Sequence, residues 1–212
     1  MDLVSYLTNI YGYDTPIFIK DVRIGRKSKS AIREEFYRAS KKGEIIKEGS
    51  GVYYIKSQKE FGAVITFEEV LAKKFIYSKD AAPMLEDLFI EGYYSGLTFL
   101  NMIGISEQVP AVLEITTNRT SSKKRIYKAM KSKAIIRKSR TVVNFKNYKI
   151  LQFLDMFHFL DMKEVIKNKE LLRQYIINNQ LMKYDLRKYI VLYSSRTIKM
   201  ITEGGLIDAF IG

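Results

Sequence analysis

The sequence predicts an α+β protein with two domains, and three observations carry that expectation. Residues 30–43, SAIREEFYRASKKG, have helical spacing; two β-rich runs, EIIKEG and GVYYIKS, flank Gly49, Ser50 and Gly51; and the chain turns helix-rich from Asn147 onward. Between residues 63 and 146 short apolar runs of both kinds alternate, so a mixed domain is expected over 63–212, with its helical portion starting at about 147.

In the first segment Ile32, Phe36 and Ala39 fall on one helix face, and Ser30, Arg33, Tyr37 and Lys41 on the other. Ser28 or Ser30 can cap the first amides. Gly43 after a basic last turn is a stop signal, because glycine accepts the left-handed cap and cations suit the helix C-terminus. PIFIKDVRI (16–24) reads as a shorter apolar element after a proline start, so two short helices joined by GRKS are expected, followed by a tight hairpin around Gly49–Gly51. Helix, helix, hairpin is the order of a winged helix-turn-helix over residues 1–57. In that geometry the second helix enters the major groove. Lys29, Ser30, Arg33 and Tyr37 would face DNA, with Arg26 and Lys27 on the backbone, Lys47 on the wing and Lys41 on the same helix face. Against this stand two other readings: a charged outer helix face is normally just solvated, and winged helices also mediate protein contacts.

Charge favours DNA contact over both. The 212 residues carry 36 Lys plus Arg against 23 Asp plus Glu, a net +13, which suits a polyanionic partner: nucleic acid, an acidic protein face or an anionic membrane surface. With no cysteine and His158 as the single histidine, disulfides and thiolate or histidine zinc sites are excluded, whereas a carboxylate magnesium site stays open. No cofactor is expected. No apolar run approaches the ~18 residues of a membrane span, and the opening MDLVSYLTNIYGYD does not read as a secretory signal, so a cytoplasmic protein is expected.

Further along, SQKEFG (57–62) has the composition of a domain boundary, and TFEEVLAKKFI (66–76) is a helix capped by Thr66 with Glu68 and Glu69 in its first turn. Phe89–Glu91 reads as a short strand, Ser95–Met102 as a helix capped by Ser95 and stopped at Gly104, SEQVP as an ordered turn and Ala111–Thr117 as a strand. The order of a helix-turn-helix, a wing ending GVYYIKS, then EEVLAKKFI, GYYSGLTFLNMIGISEQVP, LEITTN and a basic hairpin resembles the AbiEi family of bacterial antitoxin-regulators over about residues 15–160. GYYSGLTFLNMIGISEQVP is the most specific segment. The resemblance implies a winged helix that binds the promoter of its own operon. It further implies a second domain that counters a nucleotidyltransferase-like toxin functionally rather than through a stable complex.

Two other classes compete with this one. Glu86, Asp87, Glu91 and Glu114, with Lys123 and Lys124 as electrophiles, are what a metal-dependent nuclease would recruit, but their spacing forms no compact motif. There is no phosphate-cradling Gly-Lys-Ser/Thr loop and no Gly-x-Ser-x-Gly elbow; His158 lies in the apolar run FLDMFHFL, where a packed or surface histidine is the expected role. The second class is an interaction module built on the basic hairpin. Residues 119–149 hold twelve cations, including Arg119, Lys123, Lys124, Arg125, Lys131, Lys133, Arg137 and Lys138, and no acid occurs between Glu114 and Asp155. Two strands about a short turn at Lys131–Ser132 are expected, with Ile126 and Ile135 or Ile136 packed inward. Such a stretch can be a lysine-guarded sheet edge or a phosphate-tracking surface; twelve charges without a counter-ion favour the second. The tail runs YKILQFLDMFHFL, EVIKNKELLRQYIINNQ and YDLRKYIVLYSSRTIKMI read as helices, the last ended by Gly204-Gly205, with LIDAFIG free to dock on the body or on another subunit.

Overall fold

The computed structural model describes residues 2–49, 51–57, 65–78 and 89–212. The chain is mixed α+β and forms two compact units. The N-terminal unit comprises Met1–Lys74 together with Lys128–Ser132, and the C-terminal unit comprises Phe75–Tyr127 and Lys133–Gly212. Most of the expected boundary at 57–62 lies outside the described residues, and the N-terminal unit extends past it to Lys74.

The N-terminal unit starts with α1 (Leu3–Tyr11), capped by Asp2, whose carboxylate accepts from the Ser5 amide at 3.0 Å. After β1 (Ile17–Phe18) the chain turns through residues 19–21 and 25–26 before α2 (Lys29–Lys41). The expected first helix of the pair is therefore absent: residues 16–24 give a two-residue strand and turns. The nine residues carry β-favouring Ile, Phe, Ile and Val with no helical stripe, and strand pairing with a partner remote in sequence decides between the two states. Helix α2 matches its expected pattern, with Ser28 accepting from the Ala31 amide, Ile32, Phe36 and Ala39 buried, and Gly43 at φ 74° just past the end.

β2 (Ile46–Gly49) and β3 (Val52–Tyr54) form the expected hairpin, and β3 lies between β1 and β2 in a three-stranded antiparallel sheet. The continuous apolar run Val52–Ile55 is buried throughout because both sheet faces are covered. Tyr53 and Ile55 join Leu7, Ile17, Ile32 and Phe36 on the helical side, where the Phe36 and Tyr53 rings meet edge to face at 4.9 Å. Val52 and Tyr54 join Phe18, Ile65 and Val70 on the other, with Met130 packed against them. α3 (Phe67–Leu71) begins in a reciprocal capping box of Thr66 and Glu69 and runs on as a π-helical turn over Ala72–Ile76.

β4 (Gly92–Tyr94), β5 (Leu113–Thr117), β6 (Lys124–Ala129) and β7 (Ser132–Lys138) form one sheet in the order β4-β5-β7-β6, which belongs to the C-terminal unit except at Lys128, Ala129 and Ser132. β5 and β7 are parallel, with Ile115 opposite Ile136. The strand expected at Phe89–Glu91 begins three residues later; Ile90 makes only an isolated bridge to Tyr77. α4 (Gly96–Met102) ends before Gly104 at φ 78°. The basic hairpin packs Ala134 and Ile136 inward, while Ile126 is 61 % exposed, contrary to expectation, because β6 is the edge strand.

The tail folds as α5 (Tyr148–Met156), α6 (Met162–Lys167), α7 (Lys169–Asn178), α8 (Lys183–Ile190) and α9 (Ser195–Glu203). The second and third expected helices are each broken in two, at Asn168 and near Tyr193. Phe153 is the centre of the packing: Phe157 and Phe210 meet it edge-on at 5.2 and 5.7 Å, and Tyr175 stacks on it at 5.8 Å. The terminal LIDAFIG thus docks on its own unit through Leu206 and Phe210, both buried. Among the described residues no helix is long and apolar enough to cross a membrane.

Met130 and Lys131, the two residues joining β6 to β7, both lie at positive φ, 51° and 58°. A two-residue hairpin turn with both centres left-handed favours Asn-Gly, so this pair carries a backbone penalty. Lys131→Gly is expected to raise stability by about 0.5 kcal/mol, since relief of left-handed strain exceeds the added chain entropy. Met130→Gly is expected to lower it through lost packing; urea unfolding midpoints of the two variants should move in opposite directions.

Candidate functional site

Two places bring chemistry-bearing residues together, one in each unit. On α2 the buried stripe fixes the roll of the helix, so Lys29, Ser30, Arg33, Tyr37 and Lys41 all lie exposed on the outside. Tyr37 is 57 % exposed, and the Lys41 ammonium sits 5.7 Å from its ring centre. The two acids of the helix are compensated: Glu35 pairs with Lys27 at 2.6 Å and Glu34 with Arg38 at 3.0 Å. Lys27 is thereby engaged within the protein, whereas Arg26 and Lys47 are exposed, on the preceding turn and on β2.

The second place is built around Glu114 of β5, which is only 7 % exposed. Its Oε2 accepts from Arg137 of β7 through Nε at 2.9 Å and Nη2 at 2.8 Å. The segment Ser95-Gly96-Leu97-Thr98 wraps the same residue. The Ser95 amide donates to the Glu114 carbonyl at 2.9 Å, and the Glu114 amide donates to the Thr98 hydroxyl at 2.9 Å. A Cβ on Gly96 would lie 2.8 Å from the Glu114 carboxyl carbon, and Gly96 has φ 61°. Ser95 heads α4 without a side-chain cap; its hydroxyl accepts instead from Thr116 at 3.0 Å.

Beside this pair Asp155 of α5 accepts from the Tyr93 hydroxyl at 2.7 Å and faces Arg140 at 3.5 Å. Burial pushes the Asp155 carboxyl above its ordinary 3.8, while hydrogen bonds from Tyr93 and Tyr193 and the charge of Arg140 pull it back. The Arg140 guanidinium lies 4.7 Å from the Tyr193 ring centre and donates to the Leu192 carbonyl at 3.3 Å. Burial, then the Asp155 charge, drive the Tyr93 hydroxyl well above its usual value.

Of these groups Ser95, Thr116, Arg137, Arg140 and Asp155 line a cavity of about 640 Å³, together with Ser121, Lys123, Lys138, Ser139, His158 and Phe159. Three of the twelve cations of the basic stretch therefore have carboxylate partners drawn from outside it: Arg119 with Glu91 at 2.5 Å, Arg137 with Glu114 and Arg140 with Asp155. That corrects the expectation of twelve charges without a counter-ion. Lys123, Lys124, Lys131, Lys133 and Lys138 are exposed and make no ion pair with a described residue, and Arg125 lies 5.4 Å from the Phe75 ring centre.

Of the nuclease candidates, Glu91 and Glu114 are held in those ion pairs, and Glu86 and Asp87 lie outside the described residues. Among the described residues no three His, Asp or Glu side chains gather where they could hold a metal ion. Sequence reasoning missed Tyr93 and Asp155, which are 62 positions apart. The available signal was an acid within the apolar run FLDMFHFL, since a carboxylate on a buried helix face needs a donor. A scan of the chain against protein-family models found no match, and a search of curated proteins found none either.

Gly96→Ala is expected to lower stability by more than about 2 kcal/mol, combining left-handed strain with a clash against the Glu114 carboxyl; thermal unfolding checks it. Asp155 should titrate above 3.8 by carboxyl carbon NMR, and higher still in Tyr93→Phe, which removes a donor to the charged form. With the folded pKa above the unfolded one, its stabilising contribution is full below pH 3.8 and is lost as pH rises through the folded value.

Proposed function

We propose that the protein is a DNA-binding transcriptional regulator of the kind found among AbiEi antitoxin-regulators, repressing its own operon and countering a nucleotidyltransferase-like toxin. The observation that carries the DNA-binding role is the exposed face of α2. Lys29, Ser30, Arg33, Tyr37 and Lys41 stand on one side of a capped helix whose other side is locked into the core, and its two acids are already neutralised. The sheet order β1-β3-β2 behind that helix, with a short hairpin carrying Lys47, supports a winged-helix reading in which turns replace the first helix of the pair. Arg33 and Tyr37 reach base edges; Lys29, Lys41 and Arg26 meet phosphates.

The exposed hairpin lysines add sequence-independent attraction, each phosphate neutralised contributing about 0.9 to the salt slope. A second reading has one observation in its favour. β6 is an edge strand with Lys124, Arg125, Ile126 and Lys128 exposed along it, a surface suited to an acidic protein partner.

A gel shift on the region upstream of the gene tests the proposal. The double variant Arg33→Ala, Tyr37→Ala is expected to lose at least about tenfold in affinity for the specific site with an unchanged melting temperature; unchanged binding removes the residue assignment. Lys124→Gln, Lys131→Gln, Lys133→Gln should weaken specific and random DNA alike and flatten the salt dependence. Loss confined to the specific site would contradict that division. Rescue of growth on co-expression with a neighbouring nucleotidyltransferase-like gene tests the antitoxin role.

A further inference from the structure

We propose that the cavity beside Glu114 and Asp155 binds the phosphates of a phosphorylated ligand of nucleotide size. This site is separate from the α2 face and does not rest on the DNA-binding reading. Four cations line the cavity, Lys123, Arg137, Lys138 and Arg140, against two carboxylates, Glu114 behind Arg137 and Asp155 beside Arg140. The carboxylates consume two of the four charges and leave Lys123 and Lys138 in excess. The amide of Lys138 donates to the carbonyl of Lys123 at 3.3 Å, which holds those two residues side by side.

The two arginines are set in place before any ligand arrives. Arg137 is held at both Nε and Nη2 by one carboxylate oxygen, and its guanidinium lies 6.0 Å from the Phe159 ring centre. Arg140 is held by Asp155, the Tyr193 ring and the Leu192 carbonyl. Fixing such side chains in advance removes the ordering cost that a flexible cation meets on binding, and the remaining N–H groups of Arg137 form charge-assisted hydrogen bonds with phosphate oxygens. Hydroxyls complete the donor set. Ser95, 3 % exposed, accepts from Thr116 and keeps its own proton for a ligand acceptor, with Ser121 at the rim.

Size and the aromatic wall identify the ligand class. About 640 Å³ is far more than one phosphate fills and falls in the range of small-molecule sites. Phe159, with His158 edge-on to it at 5.2 Å, gives a flat apolar surface beside the cations, on which a base can lie.

Calorimetric titration of the full chain with ATP as the probe tests this, alongside adenosine, pyrophosphate and a 5′-phosphorylated trinucleotide. ATP is expected to bind and adenosine not to; pyrophosphate is expected to compete. Lys123→Gln, Lys138→Gln should weaken ATP about tenfold or more with an unchanged melting temperature, while Lys124→Gln, Lys133→Gln on the same hairpin should leave it unaltered. Arg33→Ala, Tyr37→Ala should also leave ATP binding intact, which separates failure of this site from failure of DNA binding. A trinucleotide that binds more tightly than ATP supports the site and assigns it to a nucleic-acid end. ATP and pyrophosphate of equal affinity support the phosphate site but remove the base contact. No binding of ATP or pyrophosphate at millimolar concentration, or equal loss in both lysine double variants, overturns the proposal.

Discussion

The constraint on which most of the C-terminal unit depends is the burial of one carboxylate. An ionised Glu inside a protein must be paired and hydrogen-bonded, because its desolvation is otherwise prohibitive. Glu114 meets this through Arg137 on the parallel neighbour strand, so the pair fixes the register of β5 against β7. Room for the carboxyl comes from Gly96, and the chain on either side of it is tied to the main chain of Glu114 by the Ser95 amide and the Thr98 hydroxyl. Gly92 makes similar room on the neighbouring strand β4, where a Cβ would lie 2.4 Å from the Phe75 carbonyl oxygen. The segment GYYSGLT is thus a backbone-scale fit: Gly92 and Gly96 allow close approach, and the hydroxyls of Ser95 and Thr98 meet the strand beside it.

What could be read from the chain divides along sequence distance. Helix α2 was legible down to its buried residues and its cap, since spacing, Ser28 and Gly43 all act within one element. The capping box of Thr66 and Glu69 and the halt at Gly104 are local in the same sense. Residues 16–24 were misread because their state is decided by β3, more than thirty positions on. The inward side of the basic hairpin was half right for a related reason: Ile136 faces β5 and is buried, but Ile126 lies on a strand with one neighbour only. Polar side-chain pairing was the least legible feature, since Glu114 and Arg137 stand 23 positions apart and Tyr93 and Asp155 stand 62.

The basic stretch sorts by side-chain chemistry. Arg119, Arg137 and Arg140 each hold a carboxylate, whereas the lysines at 123, 124, 131, 133 and 138 stay in solvent. Guanidinium keeps its charge when partly buried and donates along a fixed fork; ammonium is better hydrated and remains mobile. A run that reads as one block of positive charge therefore has two layers, a structural layer of Arg119, Arg137 and Arg140 and an outer layer of lysine with Arg125.

The hairpin tip has a consequence for how the chain is made. Because Lys128–Ser132 belongs to the N-terminal unit, and Met130 packs against Phe18, Val52, Tyr54, Ile65 and Val70, that unit is discontinuous in sequence. On the ribosome its first 74 residues emerge well before the segment that completes their packing, so one apolar face of the small sheet waits through the synthesis of more than fifty further residues. The nascent unit thus passes through a stage in which Phe18 and Tyr54 lack their methionine lid, and its final closure is coupled to the formation of a turn encoded in the middle of the other unit.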